Sequence, residues 1–360
     1  MLLPLPNLWS CPNACAIAAI EMESEATHSV AVVVIGGKEL GQAGTSREQV
    51  RAHRRVARAL IALVQEGYGV VLVHGSDLQI GRELLRSEEA STKTAPRPLD
   101  LCLASTQGTV GELLVREVRN LLRREHIESD VVALHTQVLV SREDPAFNVP
   151  TKTVGPVYTE WRARELMRST KWQLTEEAKD RWVRVVPSPT PLDIMGLDAI
   201  AHLTAAGMIV LAGGGGGVPL VVDSKGEFTG VEAVVDNGQT ATLIAEHLGA
   251  ELMVFLTETD HVFTSFGRPD QATLEHVTAS RLRALQEEGH FPAHGIGRKI
   301  ESSLQFVESG GSTAIITSTE KLAQALADRG GTRISLTDKL PSSRHQLGLF
   351  EHTNHDESEG

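Results

Sequence analysis

Apolar residues in this chain gather into short β-branched runs, separated by stretches with helical periodicity. The run V-A-V-V-V-I at Val30–Ile35 has no polar interruption and stops at Gly36-Gly37. Such a run predicts a strand buried on both faces, as in a parallel sheet. A helical pattern follows over 47–66 and is closed by Gly67, and the next apolar run, 70–73, ends in His74-Gly75. The pattern then predicts a helix over about 107–124 and a third strand over 131–140. Strands alternating with helices of this length imply βαβ units and a mainly parallel sheet with helices on both faces, an α/β sandwich.

The rhythm breaks over 141–191, a stretch rich in Pro and charge that holds three of the four Trp residues. It reads as an inserted subdomain bounded by proline hinges. Alternation then resumes, with a helix at 197–206, a strand at 208–211 and a polar turn at 223–226. A helix at 239–248 and a strand at 252–256 come next, then helices at 279–287 and 298–309, a strand at 314–316 and a helix at 319–328. Residues 1–28 differ in composition from the rest of the chain and are expected to be an unstructured leader, with Met22 a candidate start. Residues 335–360 are polar and His-rich and are expected to be a frayed tail, which leaves 29–334 as the folded domain.

Composition narrows the partners. A formal net charge of −12 argues against nucleic acid and against an anionic membrane surface. No apolar run approaches the ~18 residues that span a bilayer. The three cysteines, Cys11, Cys15 and Cys102, make no disulfide framework, which points to a reducing, cytoplasmic setting. The Cys11–Cys15 pair has no Cys/His partner pattern, so no protein-held metal site is expected.

The candidate chemistry sits after the strands. The chain reads V-L-A-G-G-G-G-G-V-P from Val210 to Pro219. Glycine lets backbone N–H groups approach an anion closely, so Gly214, Gly215, Gly216 and Gly217 are expected to cradle a phosphate. Three other loops come after predicted strands in the same phase: Gly36-Gly37-Lys38, His74-Gly75-Ser76 and Thr257-Glu258-Thr259-Asp260. In open α/β sheets ligands bind at the carboxyl ends of strands, and four loops in phase suit one site there. Phosphoryl transfer needs cations on the moving oxygens, and Lys38, Lys152 and Lys299 are the candidates. Lys299 lies in G-I-G-R-K at a predicted helix start, where the helix dipole adds positive potential. Neither a P-loop signature nor a Rossmann G-x-G-x-x-G is present.

Taken together, residues of about 30–333 resemble carbamate kinases of the amino acid kinase superfamily, as a divergent member. The resemblance rests on V-V-I-G-G, V-H-G-S-D-L-Q-I-G, T-Q-G-T-V-G, D-P-A-F-N-V-P-T-K-T-V-G-P-V-Y and R-V-V-P-S-P-T-P. It continues through G-G-G-G-V-P, G-V-E-A-V-V-D, L-T-E-T-D-H-V-F, F-G-R-P-D-Q and F-V-E-S-G-G, in the family's order. It implies an eight-stranded, mainly parallel sheet between helices, a protruding subdomain corresponding to 141–191, and a homodimer. It also implies phosphate transfer between ATP and carbamate, with ATP/ADP and Mg²⁺ as cofactors.

Residue by residue, the resemblance makes Gly36 and Gly37 the first phosphate loop and Lys152 the phosphate-contacting lysine of the subdomain. It makes Lys299 the nucleotide-side lysine, with Thr257 and Asp260 also on the nucleotide side. The substrate loop of the family, H-G-N-G-P-Q-V-G, appears here as His74, Gly75, then Ser76-Asp77-Leu78. The family's V-I-D-K-D appears as V-V-D-N-G: Asp236 is kept, the catalytic lysine is Asn237, and the second aspartate is Gly238. Two readings compete. Either Lys38 replaces the lost charge and the acceptor has changed, Asp77 favouring a neutral, cationic or amine-bearing one, or the chain is an impaired nucleotide-binding or regulatory homologue.

Overall fold

The structure, a computed structural model, describes residues 29–41, 46–292 and 294–337. The expected leader, including Cys11 and Cys15, and nearly all of the expected tail lie outside the described residues. The chain opens with β1 (Val30–Ile35), α1 (Ser46–Gln65), β2 (Gly69–His74), α2 (Asp77–Glu89) and α3 (Leu99–Arg124). β3 (Val131–Ala133), β4 (Gln137–Val140), β5 (Lys152–Tyr158), α4 (Glu160–Ser169), β6 (Gln173–Ala178) and β7 (Arg181–Val186) follow. Next come β8 (Pro191–Ile194), α5 (Leu197–Ala205), β9 (Ile209–Ala212), β10 (Val218–Val222), β11 (Phe228–Gly230) and α6 (Asn237–Leu248). The chain continues with β12 (Leu252–Thr257), β13 (Val262–Thr264), β14 (Ala272–Leu274), β15 (His276–Thr278) and α7 (Ala279–Glu287). It closes with α8 (Ile296–Glu308), β16 (Thr313–Ser318), α9 (Leu322–Leu326) and β17 (Thr332–Ser335).

Eight strands form the central sheet in the order β15-β17-β16-β12-β1-β2-β9-β3, and only the β16–β17 pairing is antiparallel. Alternation along β1 explains the three layers. Val32 and Val34 pack into one apolar core with Ile244 of α6 and Leu304 of α8, while Ala31, Val33 and Ile35 pack into the other with Leu60 of α1 and Leu114 of α3. A strand buried on both faces has no polar side to show, hence its unbroken β-branched run.

One local expectation is corrected, and one helix is added. The stretch 131–140 is not one strand: β3 lies beside β9 at the sheet edge, and β4 joins a smaller sheet between β10 and β8. The chain leaves the main sheet because Thr136 serves the glycine loop instead. Its N–H donates to Gln107 Oε1 at 2.9 Å and its hydroxyl oxygen accepts from Gly213 N at 2.9 Å. The loop His74-Gly75-Ser76 is short as expected, and it leads into a helix that the pattern did not predict, α2, which begins at Asp77 with that carboxylate in its first turn. The segment from β5 to β7 builds a three-stranded antiparallel sheet with α4, and its small core holds Tyr158, Ala163, Leu166 and Leu174. It docks on α2, where Glu88 accepts from Tyr158 Oη at 2.9 Å and from Arg162 Nη2 at 2.6 Å.

Candidate active site

The neighbours β12, β1, β2 and β9 are parallel, so the four loops that leave their carboxyl ends lie side by side. A cavity of about 410 Å³ opens there, under the β5–β7 sheet. The N-termini of α2, α6 and α8 converge on it, each placing a first-turn residue (Asp77, Asn237, Arg298) in the wall. Unpaired N–H groups and aligned dipoles make such ends favourable for anions. Gly36, Gly37, Gly75, Ser76, Lys152, Gly215, Asp236, Gly238 and Lys299 also line the cavity.

The glycine run meets protein as much as it faces the cavity. All five glycines are buried, and four of them have positive φ: Gly213 at 62°, Gly215 at 68°, Gly216 at 85° and Gly217 at 88°. A Cβ on Gly216 would stand 2.1 Å from the Val235 carbonyl oxygen, and one on Gly217 would stand 2.1 Å from Val138 Cγ2. The Gly216 and Gly217 amides already donate to the carbonyls of Gly213 and Gly214. Gln107, which stands in T-Q-G-T-V-G but carries no predicted site role, donates from Nε2 to Gly214 O at 2.9 Å and to Thr136 O at 3.0 Å. Of the glycines expected to cradle phosphate, Gly215 reaches the cavity, while Gly214, Gly216 and Gly217 hold the loop against its neighbours.

Three cations line the cavity, Lys152, Arg298 and Lys299, alongside three carboxylates, Asp77, Glu177 and Asp236. Lys152 Nζ pairs with Asp77 Oδ1 at 3.1 Å, so the carboxylate at the start of α2 is answered from the docked sheet. Asp236 caps α6 through Oδ1, which accepts from Gly238 N at 2.9 Å, while Oδ2 meets Arg298 Nη1 at 3.1 Å. Asn237 turns its amide toward the Ile35 carbonyl, 3.4 Å away. Lys38, expected to supply the missing charge, is exposed and stands outside the cavity wall. Arg298 was missed, yet the sequence carries a signal for it. Two cations in the first turn of a helix oppose its dipole, an arrangement favoured only where anions answer them.

The remaining candidates are supports. His74 is fully buried, its Nε2 would lie 2.5 Å from a Cβ on Gly214, and burial pushes its imidazole down to about 4. It is therefore neutral and packs beneath the glycine loop rather than in the cavity wall. Thr257 donates to the Thr259 carbonyl at 2.7 Å, and Asp260 accepts from Ser318 Oγ at 2.5 Å; neither lines the cavity. Glu39, beneath Gly36, has its carboxyl held above the usual range by burial, with Lys299 and Lys38 pulling it back.

The amino acid kinase family model matches residues 29–318. The chain belongs to the amino acid kinase family. Among its relatives, the carbamate kinase of Pyrococcus horikoshii is 36% identical over 309 residues, covering 84% of this chain and 98% of that protein. A carbamate kinase-like protein of Escherichia coli, YahI, is 36% identical over 312 residues, covering 85% and 98%. The solved carbamate kinase from Giardia lamblia bound to AMP-PNP superposes with a TM-score of 0.81 at 32% identity, covering 87% of this chain and 99% of that one. The central sheet, its helices and the order of the loops are thus those of a divergent member of this family.

Proposed function

We propose that this chain is a carbamate-kinase-like phosphotransferase, moving the γ-phosphate of ATP to or from a carbamate-type carboxyl acceptor through an altered acceptor loop. In this reading Arg298 takes the place of the lysine that the family resemblance puts at 237. The observation that carries it is the Asp236–Arg298 pair, which fixes a guanidinium at the mouth of α6, where the altered residues stand. A planar guanidinium matches two phosphoryl oxygens at once, so it suits charge that spreads over the moving group. Lys152 and Lys299 complete the cationic set, and Gly37, Gly75 and Gly215 keep the walls close. Because Asp77 is paired with Lys152, it does not bar an anionic acceptor such as a carbamate or a small carboxylate.

The donor set suits Mg²⁺ only as a companion of the nucleotide. Both oxygens of Asp236 are engaged, and no cluster of His, Cys, Asp and Glu among the described residues forms a cage. The phosphates and water would hold the ion, which would neutralise phosphate oxygens there. ADP release from ATP·Mg²⁺ with carbamate, amino acids and ureido acids tests the function. Carbamate-dependent turnover is expected, and Arg298→Ala should lower kcat/KM by about 10²–10³. Asn237→Lys should restore part of that loss. Calorimetry with ADP separates the alternative: tight ADP binding with no acceptor-dependent turnover makes the chain a nucleotide-binding homologue of kinases.

A further inference from the structure

A second cavity, of about 210 Å³, lies between α1, α2 and the first half of α3. Three buried side-chain atoms of residues on its wall have no hydrogen-bond partner among the described residues: His53 Nε2, Gln79 Oε1 and Arg82 Nη2. Their polarity can be assigned atom by atom. His53 is 2% exposed, and its Nδ1 lies 2.7 Å from the Gln49 carbonyl, which can only accept. Nδ1 therefore carries the hydrogen. Burial lowers the pKa of this ring, so it is neutral and Nε2 presents a lone pair. Gln79 donates from Nε2 to the Gly37 carbonyl at 3.3 Å, which leaves Oε1 as an acceptor. Arg82 forms no ion pair among the described residues, whereas Glu83 on the same wall is paired with Arg86.

The residues of the wall thus carry two acceptors and one unanswered cation, with Gln79 Oε1 on the Gly37 side, 3.1 Å from where a Cβ on Gly37 would stand. A buried group without a partner is unfavourable, and three on one wall ask for a molecule with matching groups. Water answers such atoms singly, but about 210 Å³ far exceeds the ~15 Å³ of probe-sized room that one water needs. We propose that this cavity binds a small α-amino acid, its carboxylate on Arg82 and its ammonium donating to His53 Nε2 and Gln79 Oε1. A zwitterion supplies both signs in one short molecule, which a plain carboxylate or a plain amine does not. Gln79 joins this cavity to the first one, since its amide holds the carbonyl of Gly37 in the phosphate loop.

Calorimetry on the full chain with glycine, L-alanine and L-serine tests this, with propionate and ethylamine as half-ligands. Saturable binding of at least one amino acid is expected, weaker by about tenfold or more in Arg82→Met and in His53→Phe. If His53→Phe does not fold, Arg82→Met, whose side chain is less buried, carries the test alone. Absence of saturable binding, binding unchanged in Arg82→Met, or propionate binding as tightly as the amino acid overturns the proposal. AMP-PNP titration of the same samples reports on the first cavity. Amino-acid binding without nucleotide binding would sink the kinase reading and leave this one standing.

Discussion

The glycine run and the start of α6 border the same cavity, and they differ in what holds them. Each glycine from 213 to 217 answers to protein atoms: Thr240 and Val73 beside Gly213, His74 beside Gly214, Ser76 beside Gly215, Val235 beside Gly216 and Val138 beside Gly217. At the start of α6 the constraint falls unevenly, since Gly238 is buried against Ser302 as tightly as the run is against its neighbours, and only position 237 is loosely held. Asp236 is fixed as cap and ion-pair partner, while Asn237 makes only a long contact to a carbonyl. Sequence can change at such a turn without breaking the sheet, and there it has departed from V-I-D-K-D. The most recognisable motif therefore identifies the scaffold, and the departure from the family pattern at 237 falls on the loosely held position of the cavity wall.

The sharpest way to break that contrast is Gly216→Ala. Its φ of 85° disfavours any side chain, and the added Cβ meets the Val235 carbonyl oxygen. Strain of ~1–2 kcal/mol and overpacking of ~1–3 kcal/mol predict a loss of roughly 3–4 kcal/mol by urea denaturation. Gly226→Ala is the control, because Gly226 has nearly the same φ, 82°, and nothing within 4 Å. It should lose only the strain. Equal losses at both positions would mean that the wall around the run is not what demands glycine.

His74 gives the next largest effect, through pH. Its folded pKa, about 4, lies below the ordinary 6.5, so the unfolded chain binds the proton first. Stability is then flat above about 6.5 and falls as pH drops toward 4, by about 3 kcal/mol across the window. His53, whose pKa burial also lowers, adds a slope of the same sign. Denaturation at pH 7.5 and pH 5 should show His74→Gln losing most of the slope that wild type has. An unchanged slope would place His74 outside the buried support of the loop.

Much of the frame was legible because its physics is periodic. Strands buried on both faces must be apolar throughout, so β1, β2, β9 and β12 announced themselves, and their common direction brought four loops to one edge. What lay hidden was direction of side chains. Lys38 follows Gly37 directly and looks like a site residue, but the chain turns there, with Gly41 N donating to Lys38 O, and leaves the lysine exposed. Arg298 sits far along the chain and comes in on α8. Asp77 looked like a free charge because Lys152 is distant in sequence and arrives from another sheet. Glycines likewise reveal a need for unusual φ or close approach, but not whether a ligand or the protein fills the space.

A smaller test sharpens the role of Asp77. Its side chain is 56% exposed and that of Lys152 is 19% exposed, so the pair contributes about 0–1 kcal/mol to stability. Asp77→Asn should leave the urea midpoint nearly unchanged. It should tighten AMP-PNP by about threefold, because Lys152 then faces the cavity without a competing carboxylate. Weaker AMP-PNP binding would show that Asp77 positions Lys152 rather than diluting its charge.

The smallest expected effect decides between the two lysine placements. Were Lys38 the relocated cation, Lys38→Ala would remove a phosphate partner and lower turnover by about 10²–10³. Its exposure and its place outside the cavity wall predict otherwise. A solvated lysine acts on the site only through screened, long-range attraction, worth well under about 1 kcal/mol at physiological salt. Lys38→Ala should therefore change kcat/KM less than about threefold, and that residual should shrink further as salt is raised. A large, salt-insensitive loss would mean that the loop turns inward when nucleotide binds, and the guanidinium at Asp236 would then share its duty with Lys38.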